Sequence, residues 1–135
     1  MAFACENIES KPGGPVTFQN VMDGIAAADF PAPTGRWFAI FCFFSESAQT
    51  IGNCRVVVED AKGELIAQQR VKDLTFTSQE PISRNVISFN GLAWPYPGGY
   101  VIRFMANQDD MLAYFPMWIQ HVPAPAEESE PQEGD

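Results

Sequence analysis

The run "RWFAIFCFF" (Arg36–Phe44) constrains the fold more than any other stretch. After the arginine, alternate positions are Trp37, Ala39, Phe41 and Phe43 on one side and Phe38, Ile40, Cys42 and Phe44 on the other. Successive side chains of an extended strand point to opposite faces, so this strand is apolar on both. The run is far too short to span a bilayer. It reads as the central strand of a sheet, with one face on a core and the other covered. Each large apolar side chain left in water forgoes roughly 1.5–3 kcal/mol of burial. The cover is either the segment 26–35, "AAADFPAPTG", or a second copy of the chain. In the second case Phe38, Ile40 and Phe44 are the interface residues.

The rest of the chain is strand-like as well. "VTFQNVMDGI" (Val16–Ile25) follows the turn signal "PGGP". "CRVVVED" (Cys54–Asp60) and "ELIAQQRV" (Glu64–Val71) flank a tight turn, in which Gly63 is free to take a positive φ. "LTFT" (Leu74–Thr77), "NVISFNGL" (Asn85–Leu92), "YVIRFMA" (Tyr100–Ala106) and "LAYFPMWI" (Leu112–Ile119) follow, the last two joined by the turn "NQDD". Gly24, Pro31 and Pro33 block a helix around Ala26–Asp29. Short strands with closely spaced turns predict an all-β protein, an antiparallel β-sandwich of seven to eight strands of immunoglobulin-like type. Residues 1–122 form the expected domain. The remainder, 123–135, combines prolines with five acids and no large apolar side chain, and is expected to be a disordered acidic tail.

"NGLAWPYPGGYVIRF" (Asn90–Phe104) holds the most concentrated aromatic signal. A tyrosine just after a Pro-Gly turn, opening a late strand, has the form of a tyrosine corner, whose hydroxyl bonds upstream backbone. Tyr100 fits that pattern. The functional alternative is an aromatic platform for a ligand, built from Trp94, Tyr96 and Trp118.

With "AFACENI", "VTFQNVMDGI", "FPAP" and "PGGYVIRF" in view, the chain resembles a group of short bacterial cytoplasmic proteins of unknown function with a β-sandwich fold. The resemblance extends to about Ile119. It implies the sandwich and supplies no catalytic residues.

Chemistry is sparse. The only histidine, His121, sits at a strand end before Pro123, poorly placed to be held by an acid. Three scattered cysteines and one histidine do not make a zinc site, and no cofactor motif is present. Acids in "NQDD" and at Glu59-Asp60 are the only loop positions that could attract calcium, and turn formation accounts for them. Cys5, Cys42 and Cys54 read as reduced thiols, with Cys42 in the core, which suits a cytoplasmic protein. No secretory signal pattern opens the chain.

The net charge is −9, from 17 acidic and 8 basic residues. Setting aside the five acids after Ala126 leaves 12 acidic against 8 basic groups. No run of Lys or Arg appears, so a nucleic-acid partner is not expected, and neither is a membrane. The resulting expectation is a non-enzymatic protein-interaction or assembly module that self-associates. The alternative is a small-molecule or carbohydrate-binding sandwich that uses its loop aromatics.

Overall fold

The computed structural model describes residues 1–123, which form thirteen strands and no helix. In chain order these are β1 (Ala2–Ser10), β2 (Val16–Met22), β3 (Gly24–Ala27), β4 (Ala32–Pro33), β5 (Trp37–Phe44), β6 (Gln49–Ile51) and β7 (Arg55–Asp60). There follow β8 (Leu65–Arg70), β9 (Leu74–Phe76), β10 (Ile82–Phe89), β11 (Ala93–Trp94), β12 (Gly98–Ala106) and β13 (Asp110–His121). No helix among the described residues is long and apolar enough to cross a membrane. The tail is, beyond Pro123, outside the described residues.

The doubly apolar run is β5, and it lies inside a four-stranded sheet of order β10–β5–β1–β2. Facing it is a five-stranded sheet of order β3–β13–β12–β7–β8. Trp37, Ala39 and Phe41 of β5 share one core with Val56 and Val58 of β7, Ile102 and Phe104 of β12, and Met117 and Ile119 of β13. Phe41 joins the two sheets, its ring centroid 5.2 Å from that of Phe104 and 5.6 Å from that of Phe115. Two small ladders, β4–β11 and β6–β9, complete the structure.

Four expectations are corrected. The strand number is thirteen, not seven to eight, because the chain breaks into short pieces. The expected strand Val16–Ile25 is two strands: Asp23 interrupts it, β2 staying in one sheet and β3 crossing to the other. There β3 runs parallel to β13, so the architecture is not purely antiparallel. A Cβ on Gly24 would stand 2.7 Å from the Trp118 carbonyl oxygen, so only glycine allows that approach. Cys42 lies half-buried on the outer side of β5, whereas Cys5 and Cys54 are the buried thiols, and burial pushes their pKa values up.

The cover for β5 is also not what the sequence suggests. Ile40 is fully buried, standing in register between Phe3 of β1 and Val86 of β10. Cross-strand neighbours on its own sheet enclose it. Segment 26–35 goes elsewhere: Ala32 joins the core, and β4 pairs with β11.

The turn after β7 forms as its sequence demands. Gly63 takes φ of +84°, and its N–H donates to the Asp60 carbonyl at 3.0 Å. The two long seams of the structure differ. Along one, the chain passes directly from β2 to β3 through Asp23 and ties the sheets together. Along the other, the edge strands β8 and β10 leave a cleft between them.

Candidate functional site

The aromatic stretch resolves into core and brace. Trp94 is fully buried, with its ring centroid 6.0 Å from that of Trp37 and 4.8 Å from that of Tyr100. It cannot meet a ligand, which corrects its place in an aromatic platform. Tyr100 is 1% exposed, and its hydroxyl donates to the Tyr96 carbonyl at 2.6 Å, the bond expected of a tyrosine corner. Tyr96 is partly exposed, but its hydroxyl donates to Oδ2 of Asp60. The other carboxylate oxygen accepts from the backbone N–H groups of Lys62 at 2.8 Å and Glu64 at 2.9 Å. The Tyr96 hydroxyl, with the turn's N–H groups, holds the Asp60 carboxyl below its usual range. In return Asp60 pushes the Tyr96 hydroxyl up to about 12. Tyr96 thus links the corner to the β7–β8 turn.

Trp118 is different. On β13, Phe115, Met117 and Ile119 face the core, so Tyr114, Pro116, Trp118 and Gln120 face outward. Trp118 is 60% exposed. Its six-membered ring lies over Gly99, with Cε3 and Cζ3 3.6 Å from where a Cβ would stand. The ring sits in a groove of about 760 Å³ lined also by Asp23, Val101, Pro116 and Gln120.

The cleft between β8 and β10 was not legible in the sequence. It measures about 650 Å³ and is lined by Gln69, Arg70, Lys72, Arg84, Asn85 and Val86, among others. Three of the chain's 8 basic residues meet there, and no acid lines it. Asp73, next in the chain, holds its carboxylate oxygens 3.8 Å from where a Cβ on Gly52 would stand, and is not part of the lining. Three other cations are committed. Arg103 pairs with Glu59 at 2.8 Å, Arg55 donates to the carbonyls of Asn53 and Asn107, and Arg36 lies over the Phe38 ring. Of the three cleft cations, only Arg70 makes a side-chain hydrogen bond among the described residues, a long one of 3.5 Å to Oδ1 of Asn53.

The remaining sequence candidates do not assemble. His121 ends β13 beside the Phe30 ring. In the "NQDD" turn, Asn107 donates to Asp110 at 2.7 Å, so that carboxylate serves the turn. Of the candidate interface residues, Ile40 is buried, Phe38 is half-buried beneath Arg36, and Phe44 alone stands well exposed.

The sequence matches no protein-family model and no curated protein. Among solved structures, the chain is similar to Pseudomonas fluorescens alkylpurine DNA glycosylase AlkC bound to DNA containing an abasic site analog. The identity is 12% and the TM-score 0.47, over 73% of this chain and 27% of that one. The chain therefore spans little more than a quarter of that protein's length. The reading as a self-associating assembly module with no nucleic-acid partner is withdrawn here, set against a likeness to a protein solved on DNA. Burial of Ile40 removes the centre of the interface that reading needed. The carbohydrate alternative loses its loop platform, since Trp94 is core and the Tyr96 hydroxyl is taken by Asp60. At this identity and TM-score the likeness carries no argument about what the present chain binds.

Proposed function

We propose that this chain is a non-catalytic module that holds the phosphate backbone of a single-stranded nucleic acid in the cleft between β8 and β10. The observation that carries the reading is the gathering of Arg70, Lys72 and Arg84 around one cleft that no carboxylate lines, in a chain of net charge −9. Cations without carboxylate partners attract phosphates and release their counterions. The acidic remainder repels the same backbone, so attraction is confined to this seam. The amide of Gln69 adds a neutral donor for phosphate or sugar oxygens, while that of Asn85 is turned to the Phe41 carbonyl and Ser83. The non-catalytic part of the reading is supported by the position of the lone histidine, which does not line the cleft. We read the scaffold as an immunoglobulin-like sandwich, which the Tyr100 corner and the two facing sheets support.

The test is fluorescence anisotropy of a labelled single-stranded oligonucleotide at low salt, with inorganic phosphate as a competitor. The wild type binds, and the triple variant Arg70→Glu, Lys72→Glu, Arg84→Glu, with an unchanged melting temperature, loses roughly tenfold or more in affinity. Competition by millimolar phosphate alone would assign the cleft to a single anion and not a strand. Equal binding by wild type and variant would end the proposal.

A further inference from the structure

The groove at Trp118 lies on the outer face of the five-stranded sheet and shares no lining residue with the cationic cleft. Its chemistry is the opposite. Its lining is largely apolar and holds no cation, and beside Tyr100, whose hydroxyl is bonded to Tyr96, it offers the carboxylate of Asp23 and the amide of Gln120. A phosphate is disfavoured beside Asp23. A planar ring carrying an amino group is favoured, because it can stack on the indole and donate to the carboxylate.

We propose that this groove receives one unstacked nucleobase with an exocyclic amino group. Trp118 supplies the stacking surface. Three features make it one: its 60% exposure, its seat over Gly99, where any larger residue would place a side chain against the ring, and the space of about 760 Å³ around it. Asp23 accepts from the amino group, as carboxylates do from cytosine N4, and Gln120 offers the paired donor and acceptor that adenine takes. Asp23 is held at the groove by its own backbone, since its carbonyl accepts from the Trp118 N–H at 2.9 Å. The inference deepens the nucleic-acid reading and rests on it for its biological meaning. Its test does not depend on the cleft, because free nucleosides carry no phosphate.

The probe is two-dimensional NMR of the nitrogen-labelled chain, titrated with cytidine, adenosine and uridine. Each of the three tryptophans gives its own indole N–H signal, and Trp37 and Trp94 are buried. Cytidine and adenosine shift the Trp118 indole signal and the backbone signals of Gly99 and Val101. Uridine, which lacks the amino group, binds about tenfold more weakly, the size of one hydrogen bond to a charged group. Asp23→Asn removes that preference while Trp118→Ala removes binding. No shift at Trp118 with any nucleoside would overturn the proposal, as would equal binding of uridine and cytidine. Oligonucleotide binding that survives such a result would leave the cleft reading standing, and loss of cleft binding alone would leave this one.

Discussion

Trp94 and Trp118 lie in the same half of the chain, and each has Tyr or Pro within two residues. One is fully buried and the other 60% exposed. The difference follows from their strands. Trp94 belongs to the short β11, which β4 pins to the end of the core, where Trp37 stacks on it, Tyr100 meets it edge-on and Phe89 stacks on Trp37 in turn. Trp118 belongs to a long strand whose inward positions are already filled by Phe115, Met117 and Ile119. Strand parity therefore puts it outside. An aromatic-rich sequence does not mark a binding surface.

That contrast can be broken by measuring stability. Trp94→Ala should cost about 3–5 kcal/mol, the range for removing a large aromatic from a core. Trp94→Phe should recover much of this, because the Trp94 indole N–H has no hydrogen-bond partner to lose. Denaturant unfolding of both variants checks the pair. A cost for Trp94→Ala no larger than that for Trp118→Ala would remove the distinction. Tyr100→Phe, which deletes the hydroxyl bond to Tyr96 and leaves the ring, should cost about 1 kcal/mol. The smallest change belongs to Trp118→Ala, within about 0.5 kcal/mol of wild type, because the ring rests on the sheet's outer surface.

The brace between corner and turn adds a pH dependence. Asp60 is depressed when folded, mainly by the Tyr96 hydroxyl. Its stabilising contribution is therefore present above the unfolded carboxyl pKa of about 3.9, and is lost as pH falls through the lower folded value. Tyr96 is raised to about 12, so its contribution is present below the unfolded phenol pKa of about 10 and is lost as pH rises through the folded value. In Tyr96→Phe, an NMR titration of Asp60 should show its pKa moving back up toward the ordinary range. The stability advantage of wild type over this variant should shrink on acidification below about pH 4. An unmoved Asp60 would mean that the turn's own N–H groups set its pKa.

How much of this was legible depends on whether a signal is local. The turn at Gly63 and the corner at Tyr100 are decided by residues a few positions apart, and both formed as the sequence indicates. The central place of β5 follows from its own alternation. β1 leaves little mark in the sequence, because "AFACENIES" alternates weakly and becomes a strand only between β5 and β2. The burial of Ile40 depends on Phe3 and Val86, which register alone brings beside it. The cleft is the extreme case. Arg70 and Lys72 are separated from Arg84 by a loop and all of β9, so no run of basic residues appears. They meet only because β8 and β10 are edge strands on the same open seam. Net charge averages over the whole chain and does not register three cations gathered at one cleft.

The most direct measurement of the central proposal is the salt dependence of oligonucleotide binding, followed by anisotropy for wild type and for the variant Arg70→Ala, Lys72→Ala, Arg84→Ala. Three phosphate contacts on a single strand predict that log K falls against log salt concentration with a slope of about −2. In the variant the affinity should drop and the slope should flatten toward zero. A wild type that shows no binding at low salt, or a slope that the three substitutions leave unchanged, would contradict the account.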